Sequence, residues 1–358
     1  MADYHFNEKI SLPFEKVYEW QKAIYMAAGM SEEDASVVAD HLVMADARGV
    51  YSHGILRTSI YTSRLEKGGT DPKAQPSIKK QFGATALVDG NNAMGMVAAK
   101  KGMDLAIELA KTYGTSAVSV TGSNHLGTCA YYAQQATREH MIGICWTINC
   151  GNIMAPWGGA ERQLGNNPFA MAVPCFHRPD IVLDMATSVV ARGKIVMARK
   201  THSPIPITWA LDADGNPTTD AEAGYWGTVR PFGDYKGYGL TLINAIFSAI
   251  LNNSSFGPTI TDFYEEPEKI QNTGHLMQVI NIDAIDDSLE FRKRMDEAVA
   301  YLKNGKKAPN VSEIFVPGEI EARTYERQRR EGITYPIEVI EENRAIALRY
   351  NIPESLRL

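Results

Sequence analysis

Apolar residues recur every three or four positions at the start of the chain. Phe14, Val17, Trp20 and Ile24 fall on one face of a predicted helix. Ser31, followed by Asp34, reads as a capping box that opens a second helix, "EEDASVVADHLVMADA", and Gly49 is its expected end. A third helical pattern begins after Gly54 and stops at "KGG", residues 67–69. The texture then changes. "ATALVDG" and "TSAVSVTG" read as strands on either side of the helical "AAKKGMDLAIELAKTYG". "YYAQQATREHM" is helical and "IGICWTIN" strand-like, so the alternation predicts an α/β layer. From Pro156 to Pro231 the chain is loop-rich, with short strands such as "FAMAVP" and "DIVLDMA". "YGLTLINAIFSAILNN" is apolar enough to predict a buried helix, "LMQVINID" a strand, and the charged last 50 residues further helix. No repeat or low-complexity linker interrupts this order. Helical ends that enclose an α/β middle suggest that the two termini pack together.

Composition narrows the class. Of 358 residues, 44% are hydrophobic and 22% charged, the balance of a globular enzyme or binding protein. A formal charge of −6 implies no broad basic surface, so nucleic acid is not an expected partner. No apolar run reaches the roughly 18 residues of a membrane span. "MADYHFNEKISLPFEK" has no apolar h-region, so no secretory signal is expected. Cys129, Cys145, Cys150 and Cys175 show no CxxC spacing, which fits reduced thiols in the cytoplasm. Nothing local marks Cys129 or Cys150 as an activated nucleophile.

The usual nucleotide signatures are missing: neither GxGxxG nor GxxxxGK[ST] occurs, so a bound nucleotide needs another scaffold. HExxH and paired Cys/His spacings are also missing, and no metal site is expected. Polar clusters remain. In "ADARGVYSHGILR" (45–57), a helix restarting at Gly54 would put His53 and Arg57 one turn apart. Imidazole exchanges a proton near neutral pH, and guanidinium holds a carboxylate with two parallel hydrogen bonds. That pair suits reduction of a 2-oxo acid, although a capped helix end with surface arginines explains the same residues. "TGSNHLG" (121–127) brings His125 to a strand end, where α/β proteins commonly bind ligands. "INCGNIMAPWGG" and "LGNNPFAMAVP" offer backbone amides to phosphates, or are plain turns. "DMATSVVARGK" and "DYKGYGL" place Asp184, Thr187, Ser188, Lys194 and Lys236 at segment ends.

Together "ADARGVYSHGILR", "GSNHLG", "APWGGAERQLGNNP", "DMATS", "ARGK", "GNPTTD", "YKGYGL" and "VPGEIE", in this order, resemble the type-2 malate/L-lactate dehydrogenase family over nearly the whole chain. The resemblance implies NAD(P)H-dependent reduction of 2-oxo acids, reversible as 2-hydroxy acid oxidation, with reduction of a cyclic imine carboxylate or an inactive ligand-binding relative as alternatives. It implies an α/β fold with a non-Rossmann NAD(P)-binding domain (76–305) and a mostly helical substrate and dimerisation domain built from both termini (1–75 with 306–358). His53 corresponds to the proton donor and His125 to a second active-site histidine. Arg57 corresponds to a substrate contact, with Arg48 and Ser52 beside it. Asn149, Asp184, Met185, Ala186, Thr187, Ser188, Lys236, Pro317, Gly318 and Glu319 are implied to line the cofactor. No arginine cluster marks a 2′-phosphate site, with only Arg178 and Arg192 as candidates, so NAD is favoured over NADP. A cytoplasmic homodimer, or a multiple of dimers, is implied. Tyr51, Cys150 and "THSPIP" depart from the family pattern and bear on the substrate.

Overall fold

The computed structural model describes residues 8–357, so the outermost residues of the expected terminal domain, including the first seven of "MADYHFNEKISLPFEK", lie outside it. β1 (Lys9–Leu12) leads into α1 (Phe14–Ala27) and α2 (Glu32–Ala47), which pack on each other. The Ser31 hydroxyl accepts the Asp34 N–H at 3.1 Å and caps α2 as expected. Gly49, at φ +79°, closes the helix. The next stretch differs from the expectation: no helix restarts at Gly54. Two 3₁₀ turns, Tyr51–His53 and Ile55–Arg57, precede α3 (Thr58–Lys67). Asp46 ties this stretch back to α2, its carboxyl taking the Ile55 N–H at 2.9 Å.

β2 (Ser77–Phe82), β3 (Thr85–Asp89), α4 (Gly95–Tyr113), β4 (Thr115–Ser123), α5 (Cys129–Arg138), β5 (Ile142–Thr147), β6 (Phe169–Val173) and β7 (Ile181–Met185) follow. α6 (Arg192–Lys200), β8 (Ala210–Leu211), β9 (Pro217–Thr218), α7 (Ala221–Trp226) and β10 (Thr228–Val229) fill the loop-rich region, and the three short strands pair as β10-β8-β9. Then come α8 (Tyr235–Ser248), β11 (Thr273–Ile280), α9 (Ser288–Lys303), α10 (Glu319–Glu331), β12 (Ile333–Pro336) and α11 (Ile337–Arg349).

The main sheet has seven strands in the order β2-β3-β4-β11-β5-β6-β7. Only β3 and β4 run parallel; every other pair is antiparallel. The strand–helix alternation is therefore real, but it does not build the parallel sheet that carries GxGxxG. α4 and α5 cover one face through a core that includes Val88, Ala98, Met103, Val118, Tyr132, Cys145 and Met277. Gly102 allows α4 to lie close: a Cβ there would come within 2.5 Å of Val120.

The two ends of the chain share one apolar core. Val17, Trp20, Ile24, Val38 and Leu42 pack in the same cluster as Ile333, Tyr335, Ile340 and Ile346. β1 pairs with β12, so backbone bonds also join the ends.

α8 corrects the sequence reading. Its buried side is small and polar (Gly237, Thr241, Asn244, Ala245, Ser248), while Ile243, Ile246 and Phe247 are exposed, as are Ile250 and Leu251 beyond its end. Hydrogen bonding explains the inversion. Asn244 Nδ2 donates to the carbonyls of Asn167 and Pro168, and Thr241 Oγ1 donates to Thr187 Oγ1 at 2.7 Å. Among the described residues, no helix is long and apolar enough to cross a membrane.

Candidate active site

The turn at 51–57 is built from both chain ends. Asp46 is 1% exposed, and its Oδ2 accepts the Ile55 N–H and, at 3.0 Å, the Tyr335 hydroxyl from β12. Gly54 is required by space rather than by φ: a Cβ there would fall 1.7 Å from Asp46 Oδ1. Tyr51 is tied down from α10, where Gln328 Nε2 donates to its hydroxyl at 2.8 Å.

This fixed turn presents Ser52, His53 and Arg57. The Ser52 hydroxyl lies 2.9 Å from His53 Nδ1, and the Ser52 carbonyl accepts Arg57 Nε at 2.6 Å. The loop after β4 brings His125 opposite, its ring 5.8 Å from that of His53 and 16° from parallel. Gly95, at the start of α4, makes room for that loop, since a Cβ there would lie 2.2 Å from the carbonyls of Asn124 and His125. The Gly127 N–H donates to His125 Nδ1 at 3.2 Å, and the Tyr61 hydroxyl lies 2.7 Å from the same nitrogen. An acceptor at Nδ1 places the neutral ring's proton on Nε2.

The electrostatics keep both rings neutral. Loss of water, then the Arg57 charge, lowers the His53 pKa to about 3. His125 is also pushed well below its ordinary value, chiefly by burial and then by His53 and Arg57. Burial also lowers Arg57, and no ion pair satisfies its guanidinium among the described residues. Burial raises the Asp46 pKa to about 8, so its carboxyl holds a proton at neutral pH.

Arg48 goes elsewhere. It caps α2 and lines a cavity of about 100 Å³ with Thr128, Tyr131, Arg138 and Asp180. The charges acting on it are Glu321, Asp184 and Asp180. The other expected residues form a second group. Asn149 N–H donates to Asn167 Oδ1 at 3.1 Å; Thr187 N–H and Oγ1 both donate to the Asn166 carbonyl; Asn166 Nδ2 reaches Ser188. Through Thr187–Thr241 these loops join the N-terminal half of α8, whose first turn exposes Lys236. Asp184 Oδ2 accepts the Ala130 N–H at 2.9 Å and so caps α5 from the end of β7. Met185 closes β7 and is partly buried, and Ala186 follows it. The Pro317 carbonyl accepts Val182 N–H, which docks the Pro317–Glu319 turn on β7. Gly318, at φ +85°, would carry a Cβ 2.7 Å from that of Val182. The Glu319 carboxylate is spent on Lys303 and Arg323, so it braces the turn. No three His, Cys, Asp or Glu side chains converge to hold a metal ion among the described residues.

The model of the malate/L-lactate dehydrogenase family matches residues 12–342. The chain belongs to the malate/L-lactate dehydrogenase family. A malate dehydrogenase of Pyrococcus abyssi is 36% identical over 351 residues, 96% of each chain. The ureidoglycolate dehydrogenase (NAD(+)) of Escherichia coli K12 is 36% identical over 306 residues, 86% of this chain and 87% of that one. The solved sulfolactate dehydrogenase of Methanocaldococcus jannaschii superposes with a TM-score of 0.89 at 36% identity, covering 96% of this chain and 98% of that one. As a malate/L-lactate dehydrogenase family member, the chain is an NAD(P)-dependent oxidoreductase of 2-hydroxy acids with a nicotinamide cofactor.

Sequence reasoning missed Tyr61, Phe263, Tyr264 and Asp46. Tyr61 had a local signal, four residues after Arg57 on a helical face. Phe263 and Tyr264 arrive from 200 residues downstream: Phe263 sits 5.1 Å from the His125 ring, and Tyr264 lies 5.4 Å from the Arg57 guanidinium.

Asp46 generates a pH prediction. Its folded pKa is about 8 against an ordinary 3.8, so between those values the folded state holds a proton that the unfolded state has released. Stability therefore falls as pH rises through that window. Asp46→Asn keeps one acceptor oxygen and cannot ionise. Urea unfolding at pH 5 and pH 8 should show a midpoint that drops for wild type and stays nearly level for the variant; parallel drops would remove Asp46 as the cause.

Proposed function

We propose that His53 is the proton donor and Arg57 the carboxylate clamp of a reversible 2-oxo acid reductase. The observation that carries this is two stacked neutral imidazoles beside a guanidinium without an ion pair among the described residues. Arg57 Nε is spent on the Ser52 carbonyl, so a substrate carboxylate meets the two Nη groups. The Nε2 proton of His125 points a hydrogen bond at the substrate oxygen, while Nδ1 stays committed to Gly127. His53 has only a hydroxyl, Ser52, at Nδ1, and a hydroxyl donates or accepts, so this ring is free to change protonation. In hydroxy acid oxidation, neutral His53 takes the hydroxyl proton. In reduction the ring carries the proton it delivers; a carboxylate seated on Arg57 offsets the smaller part of what lowers His53, the larger part being loss of water.

The nicotinamide, when bound, exchanges the hydride at C2 of the substrate. A cavity of about 420 Å³, lined by Trp157, Gly158, Asp214, Arg230 and Pro231, adjoins Ser188 through its bridge to Pro231, and its size and the flat face of Trp157 fit part of a dinucleotide. Asn149, Asp184–Ser188, Lys236 and Pro317–Glu319 are the residues proposed to hold the rest. We favour NADH: Arg192 is engaged with the Tyr225 ring, and Arg178 sits on a turn held by Asp296, so the two form no pair for a 2′-phosphate. The shared terminal core supports a helical domain of 1–75 with 306–358 beside an α/β domain of 76–305. Four buried free cysteines support a cytoplasmic setting. The outward apolar side of α8 supports a homodimer, because a second copy would cover Ile243, Ile246 and Phe247.

Kinetics with NADH and a 2-oxo acid, followed at 340 nm, test the chemistry. His53→Ala should lose about 100- to 10,000-fold in kcat. Arg57→Lys should lose about one to two orders of magnitude in kcat/KM, whereas Arg48→Lys should lose little. A wild-type rate for the His53 variant, or a larger loss at Arg48 than at Arg57, would reassign the site.

Calorimetric titration tests the nucleotide side. Lys236→Ala should weaken NADH binding several-fold while KM for the 2-oxo acid moves little; unchanged NADH and NADPH affinities would place Lys236 outside the site.

Sedimentation velocity tests the assembly. Wild type should run as a dimer, or a multiple of one, and Phe247→Asp should shift to monomer. A monomeric wild type removes the proposal.

A further inference from the structure

Two loops carry the facing imidazoles, and one helix holds both. Asp46, in the last turn of α2, fixes the turn that presents His53. Five residues earlier on the same helix, His41 reaches the loop that presents His125. The His41 ring is fully buried, and its Nε2 accepts the Thr128 N–H at 2.9 Å. An acceptor at Nε2 puts the proton of the neutral ring on Nδ1. That nitrogen lies 3.4 Å from the Tyr132 hydroxyl, and Tyr132 in turn donates to the Leu126 carbonyl at 2.6 Å. A chain of bonds from Thr128 through His41 and Tyr132 to Leu126 thus closes on both sides of Gly127.

The fit at Gly127 is close. This residue, at φ +83°, would carry a Cβ 2.0 Å from His41 Nε2, so a side chain there would push the ring off the loop. The His41 ring lies 4.6 Å from that of Tyr131 and 5.6 Å from that of Tyr132. The Tyr131 hydroxyl donates at 2.6 Å to Asp40, one residue before His41, and so ties α5 to α2 a second time. Upstream, the loop is held separately: Asn124 Nδ2 donates to the Ala93 carbonyl at 2.8 Å, and Gln271 Oε1 takes the His125 N–H at 3.3 Å. Burial, then the neighbouring His53, lowers the His41 pKa to about 3, so the ring stays a neutral acceptor near neutral pH. A helix rises about 1.5 Å per residue, which puts the two anchors roughly 7.5 Å apart along α2, a spacing that holds while the helix does.

We infer that His41 is a positioning residue for the reaction: by holding Leu126 and Thr128 to α2 it sets His125 opposite His53. Being fully buried, it acts through the His125 ring and not on the substrate. This rests on the hydrogen bond from His125 to the substrate oxygen proposed above. Displacing a reacting group by about 1 Å costs up to roughly 100-fold in rate. The carboxylate clamp rides on the turn that Asp46 fixes, so loss of His41 leaves substrate binding largely in place.

The test combines kinetics, with NADH and a 2-oxo acid, and hydrogen exchange. His41→Leu fills the space beside the tyrosines but removes the acceptor; kcat should fall about 10- to 100-fold while KM for the 2-oxo acid stays within about threefold. His41→Gln, which offers an amide oxygen near the Nε2 position, should recover most of that loss. Tyr132→Phe removes one hydroxyl from the chain of bonds and should show a smaller loss of the same kind, so the inference stays testable if His41→Leu does not fold. A double-mutant cycle separates positioning from plain stability: His41→Leu added to His125→Ala should cost little beyond His125→Ala alone. Exchange of the amides at 124–128 reads the hold without turnover; it should speed up in His41→Leu and slow again in His41→Gln. Unchanged exchange and kcat in the Leu and Phe variants overturn the inference, as does a fully additive loss in the double variant. If His125→Ala keeps the wild-type rate, the proposed role of that ring falls; faster exchange in His41→Leu then leaves the anchoring by α2 standing, and unchanged exchange removes it as well.

Discussion

One buried carboxyl holds the site in place. Asp46 reaches from α2 to the Ile55 N–H in the turn and to the Tyr335 hydroxyl in β12, and its second oxygen leaves room only for glycine at 54. Those contacts fix the turn that carries His53 and Arg57, both of which Ser52 touches. Because the partner at β12 comes from the far end of the chain, the geometry of the turn depends on the terminal elements being joined. The β1–β12 pairing and the shared apolar cluster supply that joining. A protonated acid suits this position, since it satisfies two donors without placing a charge in a water-free environment.

Much of this was legible in the sequence, and the limits have physical causes. His53, Arg57 and His125 stood out because polar, glycine-flanked clusters interrupt apolar periodicity. Arg48 and Arg57 were harder to separate. They are nine positions apart, but Arg48 caps α2 and the Gly49 turn lies between them, and a helix end changes direction in a way that composition does not encode. The strand–helix alternation was read well, but it is silent on strand direction, and the sheet is mostly antiparallel. The apolar run at 238–253 reads as a buried helix, yet Ile243, Ile246 and Phe247 are exposed. Apolar content does not say which side faces inward, and the polar side of α8 won the interior by hydrogen bonding to Asn167 and Thr187. Phe263 and Tyr264 left no local trace, because their role depends on a staple from Arg64, far away in sequence.

The residues proposed for the substrate and those proposed for the cofactor draw on different parts of the framework. The turn at 51–57, the loop at 124–127 and Phe263 meet around two imidazoles. Asn149, the Thr187–Ser188 segment and α8 meet through amide and hydroxyl bonds at another place, with the Pro317–Glu319 turn braced separately by Lys303 and Arg323.

The position of β11 has a consequence for how the molecule is made. It lies between β4 and β5, although more than 120 residues separate it from β5 in the chain. While the protein is being synthesised, β4 and β5 emerge with a gap between them that no neighbouring segment fills. The sheet closes only when residues 273–280 arrive, and the terminal core only when β12 follows. Such late, long-range pairings are slow, and they leave unpaired strand edges open in the meantime. From the emergence of β5 to that of β11 the nascent chain thus lacks the strand that joins the two parts of its sheet, and its exposure to chaperones or to self-association is set by the wait for one eight-residue strand.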